Sequence, residues 1–587
     1  MRNKGIIGTV TFGTAYEYLA DWLKKLNYNN IVRLEAMDSE NANFLISSGQ
    51  CNYENFADDI HIFFTGYLCD DLTEGYSSYT KALYSLYKNN DIQKMLNLID
   101  GSYSLLIFDK SKQVAYIACD RFASQPIYYN IFDRTITFSS HLKDFFKLQT
   151  LDKRVNLAAV ASMIGSGWVH NNHTYYEDVK FLMSGHYIKV SDGGVQVLKY
   201  WDYKIENNHS PIDKIEYKKK LKDLLINAVE KRTRNNNPSL LLSGGTDSRL
   251  LLGVMLELGR PVDTYSYAYK EMNGDDCYVA EQTAKKAGVS FNKLIIDEIN
   301  PYKGILMSAS NWAGMRNWVY EYDPLSDLSN YSDNWMGGDE SFGWNKGSYI
   351  NEYDAFNHIG ISFMSQQKEL RDIINNNDLY NDLLQRDSLI HSELLKRKSD
   401  YDLPNAVDYL YTTERLPRNI LPCRYIVTQQ GCNFINPWLD KDILEFMRQL
   451  PYQYRTDKNL LKELAMEMYP KLFSISPAKY GGASRFIKDK YGKKENVRKL
   501  FEYSSEFYSS KIDFEQFTNK ILNMENDFKS KVSKAKYKLI RQVNNKLGWL
   551  PNKIRDGELP ITISNQQFVD RIIVMGIICN KDLGLRL

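Results

Sequence analysis

Cysteine, histidine and long apolar runs are all scarce in this chain of 587 residues. Its seven cysteines, Cys51, Cys69, Cys119, Cys277, Cys423, Cys432 and Cys579, never fall into a Cys-x-x-Cys pair. That excludes a zinc ribbon or a disulfide framework and reads as reduced packing residues. The eight histidines are dispersed, with no His-Glu-x-x-His, so transition-metal catalysis finds no ligand set. No run of about eighteen apolar residues occurs, and no membrane span is expected. The opening Met1-Arg-Asn-Lys-Gly-Ile-Ile lacks the apolar core of a secretory signal, which leads us to expect a cytoplasmic protein. Charge of one sign is missing as well: a net charge of +2 offers no footprint for nucleic acid or a membrane surface.

What remains is ordinary for a soluble globular chain, with 43% hydrophobic and 25% charged residues. The length suggests about two to four domains. One stretch organises the rest. The apolar Pro238-Ser-Leu-Leu-Leu242 breaks into Ser243, Gly244, Gly245, Thr246, Asp247 and Ser248, and a helix-compatible sequence follows. A short apolar run ending in small residues suits a buried parallel strand. The glycines would bare main-chain N–H groups and the helix would add its positive end, so the turn is expected to cradle a pyrophosphate. Beside bound phosphates, Asp247 is expected to act through Mg²⁺. A Gly-Gly pair alone also makes plain strand-to-helix turns. The whole string resembles the loop of the ATP pyrophosphatases, which cleave ATP between the α and β phosphates, and lacks the Lys of a Walker loop.

Upstream, short β-like runs at 6–12, 60–64, 104–108, 113–118, 127–129 and 135–138 alternate with turns, with an amphipathic helix expected at 16–26. This suggests a layered β-rich domain. Gly101-Ser-Tyr-Ser-Leu-Leu-Ile-Phe-Asp109, Tyr116-Ile-Ala-Cys-Asp-Arg-Phe-Ala-Ser-Gln-Pro-Ile-Tyr-Tyr129 and Phe138-Ser-Ser-His-Leu-Lys143 resemble, in order and spacing, the glutaminase domain of asparagine synthetases. The resemblance implies an Ntn-hydrolase-like β-sandwich. Its nucleophile would be a Cys directly after the initiator Met, where this chain has Arg2, and an Asn-Gly pair aligns with Thr65-Gly66. The domain is therefore expected to fold like a glutaminase and hydrolyse no glutamine, as in β-lactam synthetase and lasso-peptide cyclases. Asp120 and Arg121 read as a buried ion pair at a turn.

Downstream, helical patterns alternate with apolar strands: helix 217–234, the loop strand, helix 250–258, strand 262–268, helix 275–288 and strand 291–296. Alternation of this kind implies a parallel sheet with ligands at the carboxyl ends of its strands, where Leu242 and Ser266-Tyr267 would border an adenine. Asn334-Trp-Met-Gly-Gly-Asp-Glu-Ser-Phe-Gly343 resembles the family's second motif, which makes Gly337 and Gly338 part of the nucleotide site and Asp339 a partner of Asp247 on Mg²⁺. Met336 stands where the family carries a proton-accepting group, so any base must come from elsewhere. Asn436-Pro-Trp-Leu-Asp440 resembles its Pro-Phe-Leu-Asp segment, and Lys458-Asn-Leu-Leu-Lys462 the helix start that follows. Ser476-Pro-Ala-Lys-Tyr-Gly-Gly482 looks like the loop carrying its catalytic Lys, here Lys479, an ammonium placed to stabilise growing negative charge. A Glu-x-Arg expected before the Pro-Phe-Leu-Asp segment is absent, which weakens aspartate as substrate. The aromatic-rich residues 311–322 are read as pocket lining or core, and a basic, helix-like stretch follows residue 485.

The fold expected is α+β and α/β: an inactive glutaminase-like domain over 1–205, an adenine-nucleotide α-hydrolase-like parallel sheet with helical additions over 206–485, and a helical extension over 486–587. The function expected is an ATP- and Mg²⁺-dependent ligase that adenylates a carboxylate and couples it to an amine, with Asp247, Asp339 and Lys479 catalytic. Its partners would be a small-molecule or peptide substrate, with no nucleic acid and no membrane; homo-oligomerisation or a biosynthetic partner protein stays open. An ammonia-fed amidotransferase and a nucleotide-binding scaffold without activity are the alternatives.

Overall fold

The computed structural model describes residues 5–12, 22, 30–35, 42–48, 51–57, 59–148, 151–206, 213–269, 275–296, 325–339, 342–366 and 377–478. The expected helix at 16–26, the aromatic run at 311–322, Arg2, Lys479 and the extension over 486–587 lie outside them, apart from the buried Trp22.

The amino-terminal strands are β1 (Ile6–Phe12), β2 (Asn30–Glu35), β3 (Ala42–Ser48), β4 (Asn52–Phe56), β5 (Ile60–Leu68), β6 (Gly101–Asp109), β7 (Val114–Cys119), β8 (Tyr128–Phe132), β9 (Thr135–Ser139), β10 (Lys180–Phe181), β11 (His186–Ser191) and β12 (Gly194–Lys199). They form two antiparallel sheets, ordered β10-β8-β9-β1-β3-β2 and β12-β11-β7-β6-β5-β4. β5 and β6 are buried on both faces, as near-continuous apolar runs require. One face is covered by the helices Tyr79–Asn89 and Ile92–Leu98, whose Leu83, Tyr87, Met95 and Leu96 pack on Ile60, Ile62, Phe64 and Leu105. On the other side β5 meets β1 of the first sheet.

The turn after β7 differs from the expected ion pair. Asp120 spends its oxygens on the N–H groups of Tyr103, Phe122 and Ser124 at 3.0–3.2 Å and on the Ser124 hydroxyl at 2.7 Å. Arg121 points away, donating to the carbonyls of Ile99 and Asn97. Each side chain satisfies backbone groups that the buried turn would otherwise strand.

The second half is built on a parallel sheet of β13 (Ser239–Leu241), β14 (Asp263–Tyr269), β15 (Ser290–Ile296), β16 (Asn334–Met336) and β17 (Asn433–Ile435), ordered β15-β14-β13-β16-β17. Counted from β13 this order is 3-2-1-4-5, with its reversal between β13 and β16. Ligands of doubly wound sheets bind at such a reversal. Leu240 pairs with Thr264 and Met336, and Met336 with Ile435, so the loops leaving β13, β16 and β17 start from one row. The helix Lys214–Thr233 covers the sheet with Leu221, Leu225, Ala228 and Val229, packed with Leu240, Leu250 and Val254. Among the described residues no helix is long and apolar enough to cross a membrane, and the six described cysteines are free thiols.

Buried charges join the halves. Lys231 Nζ lies 2.8 Å from Asp100 and 2.6 Å from Asp440, and Arg232 Nη2 lies 3.0 Å from Asp100 while its Nη1 contacts Asp440. All four side chains are almost fully excluded from solvent. Asp440 also caps the helix Lys441–Gln449, accepting from Asp442 N at 2.9 Å. A second junction centres on Glu414, in the π-helix Tyr411–Ile420, which accepts from Asn171 N and Arg397 and lies 3.5 Å from His170 Nδ1.

Candidate active site

The sheet brings the carboxyl ends of β13 and β16 together, and glycine lets them touch. After β13 the chain turns through residues 242–245 into the helix Thr246–Glu257. After β16 it runs through Gly337, whose N–H bonds Ile435 O at 3.1 Å, and Gly338. A Cβ on Gly338 would sit 3.2 Å from both Asp247 Cβ and Ser248 N. A Cβ on Gly337 would meet the Phe434 ring at 2.3 Å. Small residues here are a condition of the two acidic segments lying side by side.

The cradle itself differs from a set of bare amides. Ser243 N donates to Ser248 Oγ at 3.0 Å, Gly245 N to Ser243 Oγ at 3.3 Å, and Gly244 N to Asp276 Oδ1 at 2.7 Å. Three amides that an incoming phosphate would use thus already have acceptors, one of them a carboxylate. Burial pushes the Asp276 carboxyl above its ordinary range, against the pull of the Gly244 N–H and Arg249. Gly244 has no room for a side chain: its Cβ would lie 2.7 Å from Ala478 Cβ and 2.9 Å from Asp276 Oδ1. Arg249 ties the loop to the next segment, bonding Gly245 O at 3.0 Å and Ile475 O at 2.8 Å.

Asp247 and Asp339 each carry a cationic neighbour that sequence reasoning did not assign to the site. Lys458 Nζ is 2.8 Å from Asp247 Oδ2. Arg424 grips Asp339 with both arms of its fork, Nε to Oδ2 at 2.7 Å and Nη2 to Oδ1 at 2.9 Å. Asn436, directly after β17, donates to the Asp339 carbonyl at 2.8 Å. Lys458 also lies over the Trp344 ring at 5.3 Å, with Trp344 stacked on Tyr411 at 4.7 Å.

The fit to a divalent cation is partial. Asp247 Oδ1 is buried and accepts no hydrogen bond among the described residues, which leaves an oxygen for an ion. The Asp339 oxygens are both engaged. Among the described residues no three His, Cys, Asp or Glu side chains gather as a metal site, so phosphate or water oxygens would have to complete any Mg²⁺ shell.

Of the other residues read from the sequence, Leu242 is 2% exposed and belongs to the core, its N–H held by Tyr265 O at 2.9 Å. Tyr267 lies on β14, paired with Leu294. Thr246 opens the helix at the loop, and Met336 is fully buried in the core. In the amino-terminal half Thr65 is buried, and Gly66 has φ +113° with Ser102 O only 1.9 Å from a notional Cβ. A cavity between the halves is lined by Tyr67, Ser102, Gln125, Arg232, Asn436 and Arg424 among others, the last two being partners of Asp339.

Residues 70–201 match the family model of a glutamine amidotransferase domain, and residues 220–306 that of asparagine synthase. Asparagine synthetase 1 (glutamine-hydrolyzing) of Bacillus subtilis is 26% identical over 222 residues, 37% of this chain and 34% of that protein. Amidase chyE of Penicillium rubens is 22% identical over 233 residues, 36% of this chain and 34% of that protein. The chain thus aligns with about a third of the length of these relatives. A glutamine phosphoribosylpyrophosphate amidotransferase from B. subtilis, solved with ADP and GMP, covers 49% of this chain and 65% of its own at 11% identity and a TM-score of 0.23, below the level at which a shared fold follows. Matches to an amidotransferase domain and then to an asparagine synthase domain, with asparagine synthetases among the relatives, support an asparagine synthetase-like family.

Proposed function

We propose that this chain is an ATP-dependent ligase that forms an amide by adenylating a carboxylate. The observation that carries the reading is the meeting of Asp247 and the Gly337-Gly338-Asp339 segment at the strand-order reversal of a parallel sheet, with Lys458 on Asp247. A substrate carboxylate oxygen would attack the α phosphorus of ATP, the bond to the β phosphate would break, and pyrophosphate would leave. An amine would then attack the acyl carbon, AMP would depart with the C–O bonding pair, and the amine's proton would pass to a base or to solvent.

The chain's own residues have defined parts in this scheme. The amino end of the helix Thr246–Glu257 would turn its positive pole toward the leaving pyrophosphate. Lys458 offsets the charge that grows on that group. Lys479 is assigned the same role at the acyl centre from sequence alone. Mg²⁺ held by Asp247, and by Asp339 when Arg424 releases it, would supply further neutralisation of the phosphates. Met336, sealed in the core, takes no proton.

The amino-terminal domain, over residues 1–205, is proposed to keep an Ntn-hydrolase type of fold without glutaminase chemistry, because Arg2 and Thr65 occupy the positions of its nucleophile and of the Asn. The amine is then free ammonia, a second substrate or an amine of the same molecule. The last would close a lactam, the reading we favour, since an enzyme without a glutaminase gains most from a tethered nucleophile. Pyrophosphate release with candidate amino acids or peptides tests the proposal. Asp247→Asn and Asp339→Asn, shown to be folded, are expected to lose about a hundredfold or more in rate; variants as fast as the parent would overturn it. A parent chain that gives no binding heat with Mg·ATP would favour the inactive scaffold instead.

A further inference from the structure

The acidic pair is asymmetric. Asp247 keeps one buried oxygen without a hydrogen bond among the described residues, whereas both Asp339 oxygens already accept from the Arg424 fork, at 2.7 and 2.9 Å. A guanidinium fork matches a carboxylate in shape as well as charge, so this contact is stronger and better aimed than a point charge would be. A dication brought to Asp339 would face that guanidinium across a few ångströms.

Arg424 is also placed to be more than a surface counter-ion. Its helix, Leu421–Gln429, continues the π-helix Tyr411–Ile420, a helical irregularity that concentrates at functional sites. The same helix touches the amino-terminal half, through Tyr425 Oη to Ser140 O at 3.4 Å and Gln429 Nε2 with His141 Nδ1 at 3.1 Å. The guanidinium lies over the Phe434 ring at 5.4 Å and borders the cavity between the halves, beside Ser102 and Gln125. Arg424 thus holds Asp339 and lines the cavity between the halves.

We infer that Arg424 and the divalent cation compete for Asp339, so that the acidic pair takes its ion only when the Arg424 fork leaves the carboxylate. The inference rests on the reading of Asp247 and Asp339 as the ion-holding pair. Arg424 is here a positioning residue, acting through Asp339.

Mn²⁺ binding to the nucleotide-free full-length chain, read from the electron paramagnetic resonance of free Mn²⁺, tests it without any turnover. Arg424→Gln should bind Mn²⁺ about tenfold or more tightly than the parent, the scale on which a neighbouring cation alters a carboxylate. Adding Asp339→Asn to that variant should return the affinity to the parent's. Equal Mn²⁺ affinity in folded Arg424→Gln and the parent, or no Mn²⁺ binding by either, overturns the inference. Arg424→Lys keeps the charge and loses the fork, and should fall between the two; if Arg424→Gln does not fold, Arg424→Lys at the parent's affinity overturns it. Competition without pyrophosphate release in the parent would sink the ligase reading and leave this one standing. The reverse result would sink this one alone.

Discussion

Lys458 Nζ sits 2.8 Å from Asp247 Oδ2, so a residue 211 positions downstream delivers a positive charge to the loop between β13 and the helix Thr246–Glu257. It does so from a strained turn: Asp457 and Lys458 have φ of 49° and 56°, left-handed values that cost non-glycine residues roughly 1–3 kcal/mol each. Gly343, at φ +79°, packs against the same turn, and a Cβ there would lie 2.7 Å from Lys458 Cγ. Strain held this way at a site is commonly a positioning device. Lys458→Met should lower the rate of pyrophosphate release about a hundredfold. Single-turnover kinetics would check this, and an unchanged rate would remove Lys458 from the chemistry.

Asp276 holds the Gly244 amide and places a carboxylate where phosphates are expected. Asp276→Asn keeps an acceptor for that amide and removes the negative charge. We expect Mg·ATP to bind roughly fivefold more tightly, about 1 kcal/mol of relieved repulsion. Calorimetric titration decides it. Weaker binding would mean that the carboxylate supports the bound state instead of opposing it.

Charge removal at the domain junction should be costly. Asp100→Ala would leave Lys231 and Arg232 buried with Asp440 as their remaining close carboxylate besides the half-exposed Asp442, 3.5 Å from Lys231. Breaking a buried pair from one side costs about 3–5 kcal/mol. Urea unfolding of the parent and the variant measures the difference. A loss below about 1 kcal/mol would show the network to be solvated in practice.

Acid should weaken the second junction over a defined window. Burial works to raise the Glu414 carboxyl, but the Arg397 guanidinium and His170 outweigh it and hold it at about 2. Its contribution is therefore full above the unfolded value of about 4.5 and is lost as pH falls from there toward 2. Nearby His173 is held down to about 4, by burial first and then by Lys180 and Arg418. It adds a separate loss as pH falls from about 6.5 toward 4. Urea midpoints between pH 7 and 3 should fall in both windows; Glu414→Gln should reduce the lower fall, and His173→Gln the upper.

The strands and the turn from β13 into the helix Thr246–Glu257 were legible because their signals are local. Apolar runs between turn residues mark β5, β6 and β13, and Gly244 and Gly245 mark the turn. Arg424 and Lys458 were not legible as site residues, because their place depends on a π-helix and a left-handed turn that bring distant segments onto Asp339 and Asp247. Asp120 and Arg121 misled for the opposite reason. Neighbours of opposite charge look like partners in a sequence, whereas this buried turn needs each of them for backbone groups.

The knot of Asp100, Lys231, Arg232 and Asp440 has a bearing on how such a chain can change over time. A domain without a reaction of its own, as proposed above for the amino-terminal half, would ordinarily be free to erode or be shed. Here, cutting it away would uncover Lys231 and Arg232 and leave Asp440 as the one buried aspartate against two positive charges. The amino-terminal half thus supplies a buried counter-ion to the other half, independently of any catalysis.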